Sequence, residues 1–450
     1  MMRINRAFVE HYRCQDQAAD FGPLGETAGA PGYFRFGADA ICYGQVSVGF
    51  TADDVRAELN DALTQVQVED DRCLIPFEPT EIVENLRRER YIAHDANATG
   101  KNPRDGFIRK AYYAARPLLP VGVRKHLQRI ALKGWDKKPF PCWPIDRSVD
   151  KIFERLMMLA LDSRGIDRIP FIWFWPEGKS ACAIMTHDVE TRTGLEFCPS
   201  LMDLNDSYGI KSSFQIVPEG RYRIDPQVLN DIRRRGFEVN VHDWNHDGCL
   251  FSDREVFLTR AAKINQAAAE FEAQGFRSGV LYRNTDWFDA FTFSYDMSVP
   301  NVGHLDPQPG GCCTVMPYFI GRILEVPVTL TQDYALFHIL RDYSIDLWTR
   351  QISLILGGNG LISSIVHPDY IIEKRARATY SRLLASLSAL AKEENVWLAL
   401  PREVDRWWRE RSRMTLVQKH GRWEIEGPGK ERARIAYANS NGQRLTYIVE

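Results

Sequence analysis

Between residues 180 and 400, short apolar β-rich runs alternate with amphipathic helical patterns, and this alternation restricts the chain more than any other feature. The runs fall at 181–186, 212–217, 237–242, 276–282, 324–328, 360–367 and 396–400. Helical patterns at 198–208, 226–235, 252–273, 343–356 and 371–391 separate most of them, the 252–273 helix opening on a Ser252/Glu255 capping box. Strands alternating with helices require a parallel sheet covered by helices. A series of this length suits an α/β fold, a parallel (β/α) barrel of about seven strands.

In such sheets the chemistry is placed at the C-terminal ends of the strands. The run at 181–185 delivers Thr186-His187-Asp188-Val189-Glu190, and the run at 237–241 ends in His242-Asp243-Trp244-Asn245-His246. Two imidazoles four residues apart, joined by a carboxylate from the preceding strand end, make an N2O donor set that a divalent ion accepts with a position left for water. A lone His pair is modest evidence among ten histidines, and a strand-end carboxylate often only caps a helix. The combination carries the signal.

The flanking regions are less informative. Residues 1–95 read as an α+β unit, with strand-like stretches at 33–37 and 41–48, a helix at 54–66 and another at 81–91. Residues 96–170 read as a helical connector: a polar linker at 96–103, a basic amphipathic stretch at 120–134 and a helix at 149–161. The basic stretch could contact a membrane surface, but a solvated face packed on the next domain is the commoner case. The barrel is expected over 171–412, with an apolar run at 170–176 packed at its rim, and a small β-rich tail over 413–450. With 450 residues, 44% hydrophobic and 26% charged, the chain can bury a sizeable core. A net charge of −2 gives no electrostatic reason to expect nucleic acid as a partner. No apolar run is long enough for a transmembrane helix, and residues 1–20 contain no signal-peptide pattern. The nine cysteines include no Cys-x-x-Cys pair, so reduced thiols and a cytoplasmic setting are expected, with Cys312-Cys313 as loop packing. The oligomeric state is not legible.

Over roughly 180–400 these residues resemble the polysaccharide deacetylases of carbohydrate esterase family four. Thr186-His187-Asp188-Val189-Glu190 resembles the family's acidic strand end, and His242 to His246 resembles its His-(Ser/Thr)-x-x-His motif, with Asp243 at the hydroxyl position. Tyr282-Arg283-Asn284, Tyr295-Asp296-Met297-Ser298 and Ile365-Val366-His367 follow in the order of the later motifs. Two departures stand out: Glu190 is two residues beyond Asp188 rather than adjacent, and Asn284-Thr285-Asp286-Trp287 replaces the Pro and Tyr that follow the family's Arg.

The resemblance implies a distorted form of the parallel (β/α) barrel and a metal-dependent hydrolase of carbon–nitrogen bonds other than peptide bonds, which removes an acetyl or other acyl group from an N-acylated sugar or polysaccharide intermediate. It implies Glu190, His242 and His246 as ligands of a divalent metal, zinc by default, with nickel, cobalt or manganese also compatible. A metal-bound water is a nucleophile at neutral pH. Asp188 would take its proton, Arg283 would pair with Asp188 to keep it ionised, and His367 would protonate the departing amine. Asp188 and Glu190 could exchange the roles of base and ligand; the assignment given is favoured. Trp244, Trp287 and Asp296 are candidate contacts to the sugar, although core aromatics are commoner than platforms. His187 reads as a core imidazole. A non-sugar amide substrate, or a glycan-binding protein without catalysis, are the alternatives.

Overall fold

The computed structural model describes residues 4–92, 130, 132–440, 442 and 444–450. The linker expected at 96–103 and most of the basic stretch at 120–134 lie outside the described residues.

Helix α1 (Arg6–Tyr12), strands β1 (Phe21–Pro23), β2 (Ala28–Arg35), β3 (Ile41–Val46), β4 (Gln67–Glu69) and β5 (Arg72–Ile75) and helix α2 (Pro79–Arg87) make up the N-terminal part. β2 and β3 pair as an antiparallel hairpin, and β1, β5 and β4 form a small sheet. The helix expected at 54–66 does not form. Its backbone serves the hairpin instead: the Arg35 N–H donates to the Asn60 carbonyl, and just before the stretch Tyr33 and Ala52 exchange N–H···O bonds. Only a short 3-10 turn, Ala62–Gln65, remains, with the Asp61 carboxylate accepting from the Leu63 N–H. Tertiary pairing here overrides local helix propensity.

Helix α3 (Ser148–Arg164) and strand β6 (Arg168–Ile172) lead into the main sheet. Its strands are β7 (Cys182–Val189), β8 (Ser213–Ile216), β9 (Glu238–His242), β10 (Gly275–Arg277), β11 (Tyr295–Asp296), β12 (Tyr318–Ile320), β13 (Ile323–Glu325), β14 (Leu361–Ile365) and β15 (Trp397–Ala399). The order is β12-β13-β11-β10-β9-β8-β7-β14, with β15 also on β7, and only β12 runs antiparallel. Nine strands therefore stand where about seven were expected. The sheet curls. The chain beyond β13 reaches β14, with the N–H groups of Thr329 and Leu330 donating to the Ser363 carbonyl.

The helices over the sheet are α4 (Arg192–Ser207), α5 (Pro226–Arg234), α6 (Arg254–Glu270), α7 (Asp346–Leu356) and α8 (Lys374–Glu393). The cap of α6 is Asp253, whose Oδ1 accepts from the N–H groups of Glu255 and Val256, rather than the expected Ser252. Every residue of β7, β8, β9 and β14 is buried, as expected for parallel strands covered on both faces. Alternation divides them. Ala183, Met185, Phe214, Val239 and Val241 pack with helix residues such as Leu201, Ile232 and Ile264. Cys182 and Ile184 point the other way, into a cluster shared with Phe8, Tyr33, Phe153, Trp175 and Trp407. The first ninety residues thus contribute to the core against which the inner face of the sheet rests.

Helix α9 (Pro401–Ser412) and strands β16 (Thr415–Lys419), β17 (Arg422–Glu426), β18 (Ile435–Ser440) and β19 (Leu445–Val449) complete the chain. The β-rich tail forms, but β18 pairs with β6 as well as β19, so the apolar run preceding the main sheet is the third strand of the tail's sheet. All nine cysteines are free thiols. Among the described residues, no helix is long and apolar enough to cross a membrane.

Candidate metal and catalytic site

β7 and β9 end side by side at the rim of the sheet, joined through β8. Alternation along β7 turns Asp188 inward and His187 outward. His187 is held between the sheet and the helices: its Nδ1 faces the Val366 carbonyl at 3.0 Å and its Nε2 faces the Asn205 amide at 3.0 Å. Burial pushes its pKa down to about 4, so it is the neutral core imidazole expected. Glu190 lies one residue past the strand, before Thr191, whose hydroxyl caps α4 by accepting from the Gly194 N–H at 3.0 Å.

His242 is the last residue of β9, and His246 belongs to the loop that follows. Asp243 and His246 both adopt φ of 57°, in the left-handed region, and these two reversals bring the rings together with centroids 4.8 Å apart. Gly279, on the loop after β10, makes room for this turn. A Cβ there would lie 2.3 Å from Asp243 Oδ2 and 3.1 Å from His246 Cδ2.

One donor atom each from Glu190, His242 and His246 lie within 4.8 Å of one another. Glu190 Oε1 is 2.8 Å from His246 Nε2 and 3.7 Å from His242 Nε2, and both Nε2 atoms are buried without a hydrogen-bond partner. His242 Nδ1 is 3.1 Å from the Arg277 carbonyl, which can only accept, so the proton sits on Nδ1 and the Nε2 lone pair faces the cluster. His246 Nδ1 is 3.2 Å from Arg221 Nη2, which also donates to the His246 carbonyl; ligation through Nε2 leaves Arg221 on the carbonyl alone. Two orphaned imidazole nitrogens and a carboxylate oxygen converging on one point fit a divalent cation.

Asp188 Oδ2 is 3.8 Å from His242 Nε2, further from the cluster than Glu190. Its arginine partner is Arg277, not the expected Arg283. Arg277 is fully buried in β10 beside His242, and its Nη1 donates to Asp188 Oδ1 at 2.8 Å and to Thr186 Oγ1 at 2.7 Å. Burial pushes the Asp188 carboxyl up, but Arg277, His242 and His367 outweigh it and hold the group below its ordinary range. Arg283 instead donates through Nε to Glu89 Oε2 at 2.7 Å and through Nη2 to Glu89 Oε1, tying the loop after β10 to the residues just past α2.

His367 reaches the cluster from the segment after β14, with Nε2 3.3 Å from Glu190 Oε1. Asp333 holds it, accepting from Nδ1 at 2.7 Å and from the His367 N–H at 2.7 Å. Burial pushes the imidazole down, but Asp333 and Glu190 more than reverse this, leaving His367 protonated well above its usual range.

The expected substrate contacts are less engaged with the cluster. Trp287 packs on Phe257 with ring centroids 5.3 Å apart, and Trp244 is half-buried with the Lys263 ammonium 5.4 Å from its ring. Asp296 lies in the sheet, both oxygens taken by the N–H and hydroxyl of Ser298 at 2.8 Å. Sequence reasoning missed Arg277 and Asp333. The former had a visible signal, a charged residue inside a run read as a buried strand; Asp333, between Gln332 and Tyr334, had none.

No protein-family model matches the chain, and no curated protein matches it. Among solved structures, the chain is similar to a Mycobacterium smegmatis protein assigned as a polysaccharide deacetylase, with a TM-score of 0.44 and 19% identity over 53% of this chain and 93% of that one. It is also similar to Puue allantoinase, with a TM-score of 0.42 and 13% identity over 52% and 92% of the two chains. A third similar structure is the peptidoglycan deacetylase PdaC of Bacillus subtilis, with a TM-score of 0.33 and 11% identity over 52% and 93%. These are likenesses of fold.

Proposed function

We propose that the protein is a metal-dependent hydrolase that removes an acyl group from the nitrogen of an acylated amino sugar or a related saccharide. The observation that carries this reading is the grouping of Asp188, bonded to Arg277, and His367, bonded to Asp333, beside the Glu190, His242 and His246 donors. Glu190, His242 and His246 would hold a divalent ion, zinc by default, which when bound supplies Lewis acidity and lowers the pKa of water beside it. Asp188 accepts the proton of the attacking water, and Arg277 keeps it ionised and oriented until that step. His367 donates its proton to the nitrogen as the carbon–nitrogen bond breaks, and Asp333 stabilises the imidazolium beforehand. Leu281, Val328 and Ile365 form a small buried apolar cluster of their own, suited to an acyl methyl group.

The test is metal analysis of the purified protein beside His242→Ala and Asp188→Asn, followed by an acetyl-release assay on N-acetylated sugars with cyclic ureides and formamides as controls. About one equivalent of metal in the wild type, lost in His242→Ala and kept in Asp188→Asn, together with activity on the sugars, is the expected result. Metal lost in both variants moves the base role to Glu190. Absence of metal in every preparation, even after zinc or nickel is added, overturns the reading.

A further inference from the structure

A cleft of about 560 Å³ lies where α1, α2 and α9 end beside β12. The Gly321–Arg322 turn on its wall precedes β13, at the N-terminal end of the parallel strands, whereas Glu190 and His242 stand at their C-terminal ends. Arg13, Arg87, Arg322, Arg409, Arg411 and Arg413 line it, against only Glu10 and Glu84. Glu84 is already engaged by Arg88 at 2.9 Å. Three converging helix C-termini contribute roughly half a negative charge each, which leaves a surplus of roughly two to three positive charges.

Part of this charge serves the fold. Arg411 donates to the carbonyls of His11, Ile172 and Trp173, Arg409 pairs with Asp405 at 2.8 Å, and Arg322 donates to the Phe291 carbonyl. The other three pair with no carboxylate among the described residues. Arg87 is 8% exposed, lies over the rings of Phe153 and Tyr318 at 5.5 and 5.0 Å, and has a buried Nε without a partner. No described carboxylate pairs with it. Arg13 donates through Nη2 to the Met414 carbonyl at 2.7 Å and leaves its own buried Nε unpartnered. Arg413, exposed at the mouth, makes a single bond through Nε to the Arg409 carbonyl. A buried guanidinium facing a positively charged cleft, bonded to no carboxylate or carbonyl among the described residues, is costly unless an anion completes it.

We propose that this cleft binds a small molecule through a diphosphate group, held by Arg13, Arg87 and Arg413. Guanidinium forks match phosphate oxygens two at a time, and a surplus of two to three charges matches a diphosphate better than a single phosphate. The cleft is larger than a diphosphate needs, and the half-buried Phe319 on its wall offers aromatic surface to an attached organic group. Nucleoside diphosphates and prenyl diphosphates share this chemistry. The site is separate from the proposed hydrolytic centre, so either can fail without the other.

Isothermal titration of the full chain with inorganic pyrophosphate, inorganic phosphate, uridine diphosphate and farnesyl diphosphate at physiological salt tests it. Repeating the titrations in His242→Ala separates binding at the metal ligands. Pyrophosphate is expected to bind at least about tenfold tighter than phosphate, with Arg413→Ala, Arg13→Gln and Arg87→Gln each weakening it about fivefold or more. Should Arg87→Gln fail to fold, the other two variants decide. Tighter binding of uridine diphosphate than of pyrophosphate assigns a nucleotide, and tighter farnesyl diphosphate assigns a lipid precursor. Equal affinities for phosphate and pyrophosphate, no saturable binding up to about 10 mM, or indifference to Arg413→Ala and Arg13→Gln overturn the proposal.

Discussion

The pairing of Asp188 with Arg277 is open to a quantitative test by Arg277→Met, which keeps the length of the side chain and removes its charge. Both partners are buried, and the single guanidinium nitrogen between Asp188 and Thr186 makes the contact direct. Unit charges about 4 Å apart at an effective dielectric near 20 attract by about 4 kcal/mol, and losing one partner of a buried pair costs about 3–5 kcal/mol. Chemical denaturation should be followed in chelator, because a bound cation would stabilise the orphaned Asp188 and hide the loss. Arg277→Met alone is expected to lower stability by about 3–5 kcal/mol. In an Asp188→Asn background the same change should cost only about 1–2 kcal/mol, since only the bonds to Thr186 and the Met297 carbonyl are then lost. The coupling energy would be about 2–3 kcal/mol. Arg283→Met, by contrast, should add to Asp188→Asn within about 0.5 kcal/mol, because its carboxylate partner is Glu89. Additivity for Arg277 and coupling for Arg283 would refute the assignment and restore the pairing read from the sequence.

Two further outcomes follow from the geometry. Gly279→Ala puts a methyl group 2.3 Å from Asp243 Oδ2 and 3.1 Å from His246 Cδ2, so the His246 loop must shift. Metal affinity should fall about 10- to 100-fold and stability by about 1–3 kcal/mol, read by metal titration and thermal melting. Glu238, inside the sheet and bonded to Asn240 at 2.9 Å, has its pKa pushed by burial to about 7 from an ordinary 4.5. The folded state then binds the extra proton, so stability present below pH 4.5 is lost as pH rises through about 7, by up to about 3 kcal/mol. Glu238→Gln should flatten that part of the stability profile relative to wild type; an unchanged slope would show that Glu238 ionises freely.

The parallel sheet was legible because buried parallel strands leave a periodic mark: 181–186 and 237–242 are apolar runs with a helix after each, and both form strands within three residues of the expected bounds. The metal-type donors were legible for the same reason, since a carboxylate and two imidazoles at strand ends have few other uses together. What failed was whatever depended on partners distant in sequence. The stretch at 54–66 has the composition of a helix, yet its backbone is claimed by β2. Asp333 acquires its role only because the chain between β13 and β14 carries it against His367.

The confusion of Arg277 with Arg283 has a physical origin. Both are fully buried arginines within seven residues, and each holds a carboxylate, so motif spacing cannot tell them apart. Register can: Arg277 stands opposite His242 on the neighbouring strand and faces inward, whereas Arg283 lies past the tight Gly279 turn, where the chain has left the sheet. There it meets Glu89 from the N-terminal part and donates to the Leu281 carbonyl at 2.8 Å, two residues beyond the glycine that leaves room for His246. The first ninety residues therefore do more than complete a core. Through Glu89 and Arg283 they brace the loop whose glycine leaves room for the second imidazole of the metal-type cluster, so a carboxylate that no local motif contains helps to set the site's surroundings.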